Sequence, residues 1–224
     1  TIENFIPSNF NVLPRHLTIA AINHSKKYGE VDPSLDYTVG GDGLVNGDVL
    51  TGALAHNSSG HAGRYKISIG DLDVSADYIV DSFYEGQFDV TPRGLEISAV
   101  AKSKKYGAFN TPLSYTVGGD GLVAGDALTG ELATNSSGHV GRWAITQGTL
   151  SASGDYEITK FNQADYQVTP RSLIVSASAK SKKYGALNPS LTYSVSGDGL
   201  INGDILTGGL THNSNGHAGI WAIS

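Results

Sequence analysis

Cysteine and methionine are both absent from these 224 residues. Without cysteine no disulfide closes a loop, and no thiolate can serve as nucleophile or metal ligand. Without a methionine at position 1 the sequence begins downstream of a native start codon, so any signal or anchoring segment is expected to lie outside it. Charge is sparse as well: 16% of residues are charged, against about 25% in an average soluble domain. No apolar run approaches the roughly 18–20 residues that a membrane-crossing helix needs, so membrane insertion of this segment is not expected. The formal net charge of −6 argues against a nucleic-acid partner, which usually leaves a basic footprint. Lysines do gather at Lys26, Lys104 and Lys182, but each cluster holds two or three charges and reads as a solvated strand tip that discourages edge pairing.

Plentiful Gly, Ser, Thr and Asn suit short strands joined by tight turns, and their arrangement is repetitive. Pro14-Arg15, Pro92-Arg93 and Pro170-Arg171 lie 78 residues apart, and no gap interrupts the register. The same interval separates Lys27-Tyr28-Gly29, Lys105-Tyr106-Gly107 and Lys183-Tyr184-Gly185, then Gly41-Asp42-Gly43, Gly119-Asp120-Gly121 and Gly197-Asp198-Gly199. Three copies follow, spanning 14–91, 92–169 and 170–224, with 1–13 as the final strand or strands of a preceding copy. Thr1–Leu13 aligns with Glu157–Thr169, and the third copy stops short of the counterpart of Gln147–Thr169. The parent chain is therefore expected to continue in both directions, unless neighbouring molecules supply the missing strands by β-augmentation.

Within a copy the hydrophobic period is two, the strand signature. Leu95, Ile97, Ala99 and Ala101 alternate with Glu96, Ser98 and Lys102, and Leu113, Tyr115 and Val117 with Ser114 and Thr116. Further strands are expected around Leu128–Leu132, Trp143–Ile145, Tyr156–Ile158 and Tyr166–Val168, about six per copy. The fold class is all-β: tandem, small β-sandwich-like domains stacked end to end as an elongated rod. Asn46-Gly47 and Asn202-Gly203 mark turns that require positive φ, and Gly107 or Gly185 lets the chain bend after its Tyr. Because so small a domain has little core to spare, the aromatics in phase with the apolar positions are expected inside. These are Tyr37, Tyr65 and Tyr78, their counterparts Tyr115, Trp143 and Tyr156, and Tyr106.

One motif order runs the length of the unit. Tyr28-Gly29 is followed by Pro33-x-Leu35-x-Tyr37, by Gly43-Leu44-Val45-Asn46-Gly47-Asp48-x-Leu50-Thr51-Gly52-x-Leu54, and by Gly63-x-Tyr65-x-Ile67. This order and spacing resemble the MBG repeat of the YGX type, and the match recurs from Tyr106 to Ile145 and from Tyr184 to Ile223. Asp77 and Asp155 depart from it where Asn commonly precedes the Tyr, and Gly60-His61 departs where Gly-Glu is common; these changes touch turns. The resemblance implies an extracellular, cell-surface, multi-copy module of large secreted bacterial adhesins and exoproteins. It implies no enzymatic activity and names no ligand.

His61, His139 and His217 recur at one position, and His56 precedes His61 by five residues, but the second copy has Thr134 where the others have His56 and His212. A loop histidine beside a tight turn fits this pattern better than a metal ligand. Asp42 and Asp48, Asp120 and Asp126, and Asp198 and Asp204 offer two carboxylates per copy. Calcium is the one ion such pairs could suit, yet Asp beside Gly is what turns select for backbone reasons alone. Ser59 with His61 lacks the orienting acid of an activated nucleophile. Asn57-Ser58-Ser59 and Asn135-Ser136-Ser137 fit a glycosylation triplet that Asn213-Ser214-Asn215 breaks. No catalytic, cofactor-binding or metal residue is assigned, and no cofactor is expected.

The expected role is a non-catalytic stalk or spacer in a surface adhesin, because only Thr91-Pro92-Arg93-Gly94 separates Val90 from Leu95 and Pro restricts both itself and its predecessor. Expected partners are neighbouring repeats of the same chain, with identical chains or surface glycans as alternatives. Repeat-borne glycan binding, strengthened by multivalency, and a strand-sharing extracellular filament are the competing functions.

Overall fold

A computed structural model describes residue 1 and residues 3–224. Ile2, within the segment 1–13 read above as the end of a preceding copy, lies outside the described residues. No helix occurs among the described residues, so none is long and apolar enough to cross a membrane. The chain is all-β, built as several small sheets.

The first repeat holds seven strands: β1 (Arg15–Ala21), β2 (His24–Lys27), β3 (Tyr37–Gly41), β4 (Ala55–His56), β5 (Gly63–Ser68), β6 (Tyr78–Tyr84) and β7 (Gly86–Thr91). They make two mixed sheets, ordered β3-β1-β6 and β2-β7-β5-β4. Two pairs are parallel, β1 with β6 and β2 with β7. The cause is a corner crossed twice. The run from β1 to β2 leaves one sheet for the other at Ile22-Asn23, and the run from β6 to β7 does the same at Glu85, so both runs bend together. At that corner the strands approach closely: a Cβ on Gly86 would lie 3.0 Å from the Ala21 methyl, and the matching residue of the second repeat is Ala164.

Alternation fills the core between these sheets. Leu17 and Ile19 of β1 are buried with Leu50 and Tyr78, while Ile67, Phe88 and Val90 gather around Leu54. Tyr37, Leu72 and Phe83 pack against both groups and join them. The expected turn at Asn46-Gly47 forms with φ of 58° and 79°.

The second repeat repeats the order with β8 (Arg93–Ala99), β9 (Lys102–Lys105), β10 (Tyr115–Gly119), β11 (Ala133–Thr134), β12 (Gly141–Thr146), β13 (Tyr156–Asn162) and β14 (Ala164–Thr169). Its sheets are ordered β10-β8-β13 and β11-β12-β14-β9. The chain divides into two compact units that do not follow the repeat boundaries. One comprises Thr1–Ile97, Val117–Thr129 and Leu150–Lys160; the other comprises Ser98–Thr116, Gly130–Thr149 and Phe161–Ser224. In the second unit Ile145, Tyr166 and Val168 are buried beneath Trp143, Tyr106 and Leu132.

The strand count corrects the expectation of about six per copy. The lysine-rich stretches of the first two repeats are themselves strands: β9 pairs in parallel with β14, setting Lys102 beside Tyr166 and Lys104 beside Val168. No apolar alternation announces such a strand, so sequence reading merges it with the solvated turn after it. Conversely, Leu128–Leu132 makes only the isolated bridge Thr129–Ser151. The aromatic assignments also shift. Tyr78 and Tyr156 are buried as expected, but Tyr37, Tyr65, Tyr106, Tyr115 and Trp143 are half-buried, and the fully enclosed rings are Phe88 and Tyr166. Tyr65 and Trp143 stay near the surface because their polar ends serve a loop: the Tyr65 hydroxyl donates to the His61 carbonyl at 2.9 Å and Trp143 Nε1 to the His139 carbonyl at 3.2 Å.

The third repeat forms only β15 (Leu173–Ala177) and β16 (Tyr193–Gly197), an antiparallel pair. Residues 180–183 and 219–224, which match β9 and β12, carry no strand beyond the bridge His212–Ile223. In the second repeat both are hydrogen-bonded to β14, and 170–224 contains no counterpart of β14. Residues 3–13 are likewise without strand and exposed.

Candidate functional site at the repeat junctions

Each copy opens on Pro-Arg, and the arginine folds back onto the Gly-Asp-Gly turn. Arg15 Nε donates to the Gly43 carbonyl at 2.9 Å, Arg93 Nε to Gly121 at 3.0 Å and Arg171 Nε to Gly199 at 2.9 Å. A second guanidinium nitrogen donates in each case to the Asp carbonyl of the turn. The Asp side chain returns the favour to the strand: Asp42, Asp120 and Asp198 accept from the backbone N–H of His16, Gly94 and Ser172 at 2.8–2.9 Å. A planar fork with several donors is suited to bridging two adjacent carbonyls in this way. Two motifs that recur separately in sequence thus form one clamp.

The lysine of the preceding copy completes the clamp. In the first unit, Lys27 Nζ lies 2.7 Å from Asp120 Oδ1; in the second, Lys105 Nζ lies 2.7 Å from Asp198 Oδ1. Lys27 and Lys105 are thus not the free, solvated strand tips that the sequence suggests: they bind the Asp of the next repeat. Lys26 is tied down too, with its side chain 10% exposed and Nζ 2.5 Å from Asp32.

The first junction has further parts. Tyr28 meets Tyr156 edge-on with ring centroids 5.5 Å apart and lies nearly parallel to His61 at 6.0 Å. Arg93 donates to the Tyr28 carbonyl at 3.3 Å. His61 Nδ1 is 2.8 Å from Asp155 Oδ2, and the Ala62 N–H donates to Asp155 Oδ1 at 2.7 Å. Gly29, at φ 75°, lets Val123 approach so closely that a Cβ there would lie 2.4 Å from its Cγ2. In the second unit, Tyr106 stacks on His139 and its hydroxyl donates to Asp204 at 3.4 Å, while Ile201 fills the space in front of Gly107. The chemistry is binding of one repeat to the next, by an ion pair, a ring contact and a backbone cap at the first junction and by an ion pair, the Tyr106 hydroxyl and the Ile201 side chain at the second.

The other sequence candidates have local duties. His56 stacks on Phe88 at 4.1 Å and 7°, and its Nε2 lies 3.2 Å from Asp32. Asp48 accepts from the Tyr78 hydroxyl at 2.6 Å, and Asp126 accepts from that of Tyr156. His217 stacks with Tyr184. Asn57, Asn135 and Asn213 each accept a backbone N–H nine residues on, bracing the loop that Ser58, Ser136 and Ser214 turn. Among the described residues no group of three or more His, Cys, Asp or Glu is gathered as a metal site would require. Sequence reasoning missed Asp155, Val123 and the role of Lys27 and Lys105. No local signal marks the lysine pairs: Lys27 and Asp120, like Lys105 and Asp198, lie 93 residues apart, and the equal spacing follows from the repeat itself.

The electrostatics carry a sign. The lysine partner, then the backbone N–H of Gly94 or Ser172, holds the Asp120 and Asp198 carboxyls below their ordinary range. At Asp155, burial works against ionisation, but the Ala62 N–H and the His61 imidazole together outweigh it and lower the carboxyl as well. A carboxyl depressed on folding contributes stability above its unfolded value, near ~3.9, and that contribution is lost as pH falls through the folded value. Thermal melts are therefore expected to fall between about pH 5 and pH 2, and the double variant Asp120→Asn, Asp198→Asn should flatten this slope. Parallel slopes in variant and parent would remove the junction carboxylates from the account.

A family model described as MBG domain (YGX type) matches residues 17–89, 95–166 and 173–224. No curated protein and no solved structure matches the chain.

Proposed function

Since the chain belongs to the MBG domain family of the YGX type, we propose that it serves as a non-catalytic structural stalk or spacer in a secreted bacterial surface adhesin, with repeats bounded at 14–91, 92–169 and 170–224. The observation that supports this reading is the junction. A spacer needs one repeat held on the next, and Lys27–Asp120 and Lys105–Asp198 make the same contact at both junctions. Each ion pair is partly solvated and weak alone. Held together with Arg93 on the Tyr28 carbonyl and Asp155 on Ala62, the first of them restrains a linker already stiffened by Pro92. The partners of each repeat are then its neighbours in the chain, at the cell surface and outside the cell.

Small-angle scattering tests the spacer role. The expected distance distribution is long and narrow, with a maximum near three domain lengths of roughly 30–45 Å each. A globular profile, or the broad distribution of domains on a flexible Gly/Ser-type linker, would refute it.

A further inference from the structure

Tension along the chain enters a repeat at its first strand and leaves at its last, and in the first repeat both are interior strands. β1 lies between β3 and β6, and β7 lies between β2 and β5. Neither sits at a sheet edge from which it could be peeled. The linker adds no slack, since Pro92 alone separates the end of β7 at Thr91 from the start of β8 at Arg93. A pull on the next repeat reaches the β7 backbone directly.

The direction of pairing decides how that pull is felt. β1 runs parallel to β6 over six residue pairs, from Arg15 beside Tyr78 to Ala20 beside Tyr84, and β2 runs parallel to β7 over four more, from His24 beside Phe88 to Lys27 beside Thr91. Because β1 passes into β2 where β6 passes into β7, the two pairs make one continuous double run that crosses from sheet to sheet. Hydrogen bonds close both of its ends: the Arg15 N–H donates to the Asp77 carbonyl and the Tyr28 N–H to the Thr91 carbonyl, each at 2.9 Å. At the corner the Gln87 N–H donates to the Asn23 side chain at 2.7 Å. The chain enters at the N-terminal end of the first run and leaves at the C-terminal end of the second. In parallel strands these are opposite ends, so tension slides one run along the other and loads the ladder bonds together. A hairpin held by its two free ends would instead open one bond at a time.

Side chains oppose the same slide. Leu17 and Ile19 of the first run, and Phe88 and Val90 of the second, are at most 3% exposed. A slip of one residue would turn each of them to the opposite face of its sheet, so the core holds the register as well as the ladder does. The second repeat keeps these features: β9 is parallel to β14, the Tyr106 N–H donates to the Thr169 carbonyl at 2.9 Å, and the Arg93 N–H donates to the Asp155 carbonyl at 3.0 Å.

We propose that each complete repeat is a load-bearing element, in which the double run, residues 15–28 against 77–91 in the first repeat, resists tension along the chain by shear. Its use under tension rests on the stalk reading, whereas the resistance is a property of the strand pairing and is measured apart from the shape of the chain.

Because the chain has no cysteine, introduced pairs define the pulling axis in single-molecule force spectroscopy of all 224 residues. Leu13→Cys with Pro92→Cys holds the double run by opposite ends; Leu13→Cys with Ala76→Cys holds it by the same end. All three sites lie outside the strands, and Pro92 has no N–H to lose. At one loading rate the first pair should unfold the repeat at a force several-fold higher than the second, while thermal melts of the two variants coincide. The first pair should also release roughly 215–255 Å, the chain between the handles at about 3.3–3.6 Å per residue less a folded span of about 30–45 Å. Equal forces along the two axes, or a weaker first axis, overturn the proposal. Unequal forces beside a globular scattering profile would remove the stalk and leave the load-bearing pairing standing; equal forces beside an elongated profile would do the reverse.

Discussion

Phe88→Ala in the first repeat, or Tyr166→Ala in the second, should lower the unfolding free energy of its repeat by about 3–5 kcal/mol, the usual cost of emptying a large buried aromatic site. Both rings are fully enclosed. Phe88 is covered by His56 on one face and lies among Leu54, Ile67 and Val90; Tyr166 adds hydrogen bonds to Thr111 and Asn110 through its hydroxyl. Neither cavity can collapse readily, because each ring sits on a central strand held on both sides, β7 between β2 and β5 and β14 between β9 and β12. Trp143→Ala should cost less, since that ring is only half-buried. Denaturant unfolding of the three variants checks the ranking, and a Trp143 variant as damaged as the other two would contradict the burial described here.

A second large effect is expected at Gly52 and Gly130, which occupy equivalent positions at φ 79°. A Cβ at Gly52 would lie 2.1 Å from the Asp71 carbonyl oxygen, and at Gly130 2.2 Å from that of Thr149. Both obstacles are backbone, so a side-chain rotation cannot relieve them. Alanine at either site should cost more than the ~1–3 kcal/mol of left-handed strain alone. Melting curves of the two variants decide it, and losses no larger than that strain would mean that the carbonyl contact is relieved at little cost.

Much of this was legible in the sequence for simple reasons. The three copies, the strand period and the Asn46-Gly47 turn are local signals, and the fold follows them. What escaped was non-local. Lys102–Lys105 looks like a solvated tip because its pairing with β14 is parallel and lies more than sixty residues away. Asp120 looks like a turn residue, and is one, accepting from Gly94 N–H; only the geometry reveals that the same carboxylate also receives Lys27. His56 prompts thoughts of metal because histidine is chemically versatile. Its partner Phe88 shows that it is part of the core lid, and the exchange to Thr134 with Tyr166 in the next copy is a packing substitution that a paired reading of the two positions could have found.

Backbone ¹⁵N relaxation measures most directly whether consecutive repeats are fixed to one another. Amides of β5 in the first repeat and of Val117–Thr129 in the second belong to one compact unit, with Lys27, Tyr28 and His61 engaging Asp120, Tyr156 and Asp155 across the repeat boundary. The account predicts that both sets report one shared, anisotropic rotational diffusion tensor, and that Lys27→Ala combined with His61→Ala loosens it. Separate and shorter correlation times for the two sets in the unaltered chain, each as expected of a lone 78-residue bead, would contradict it.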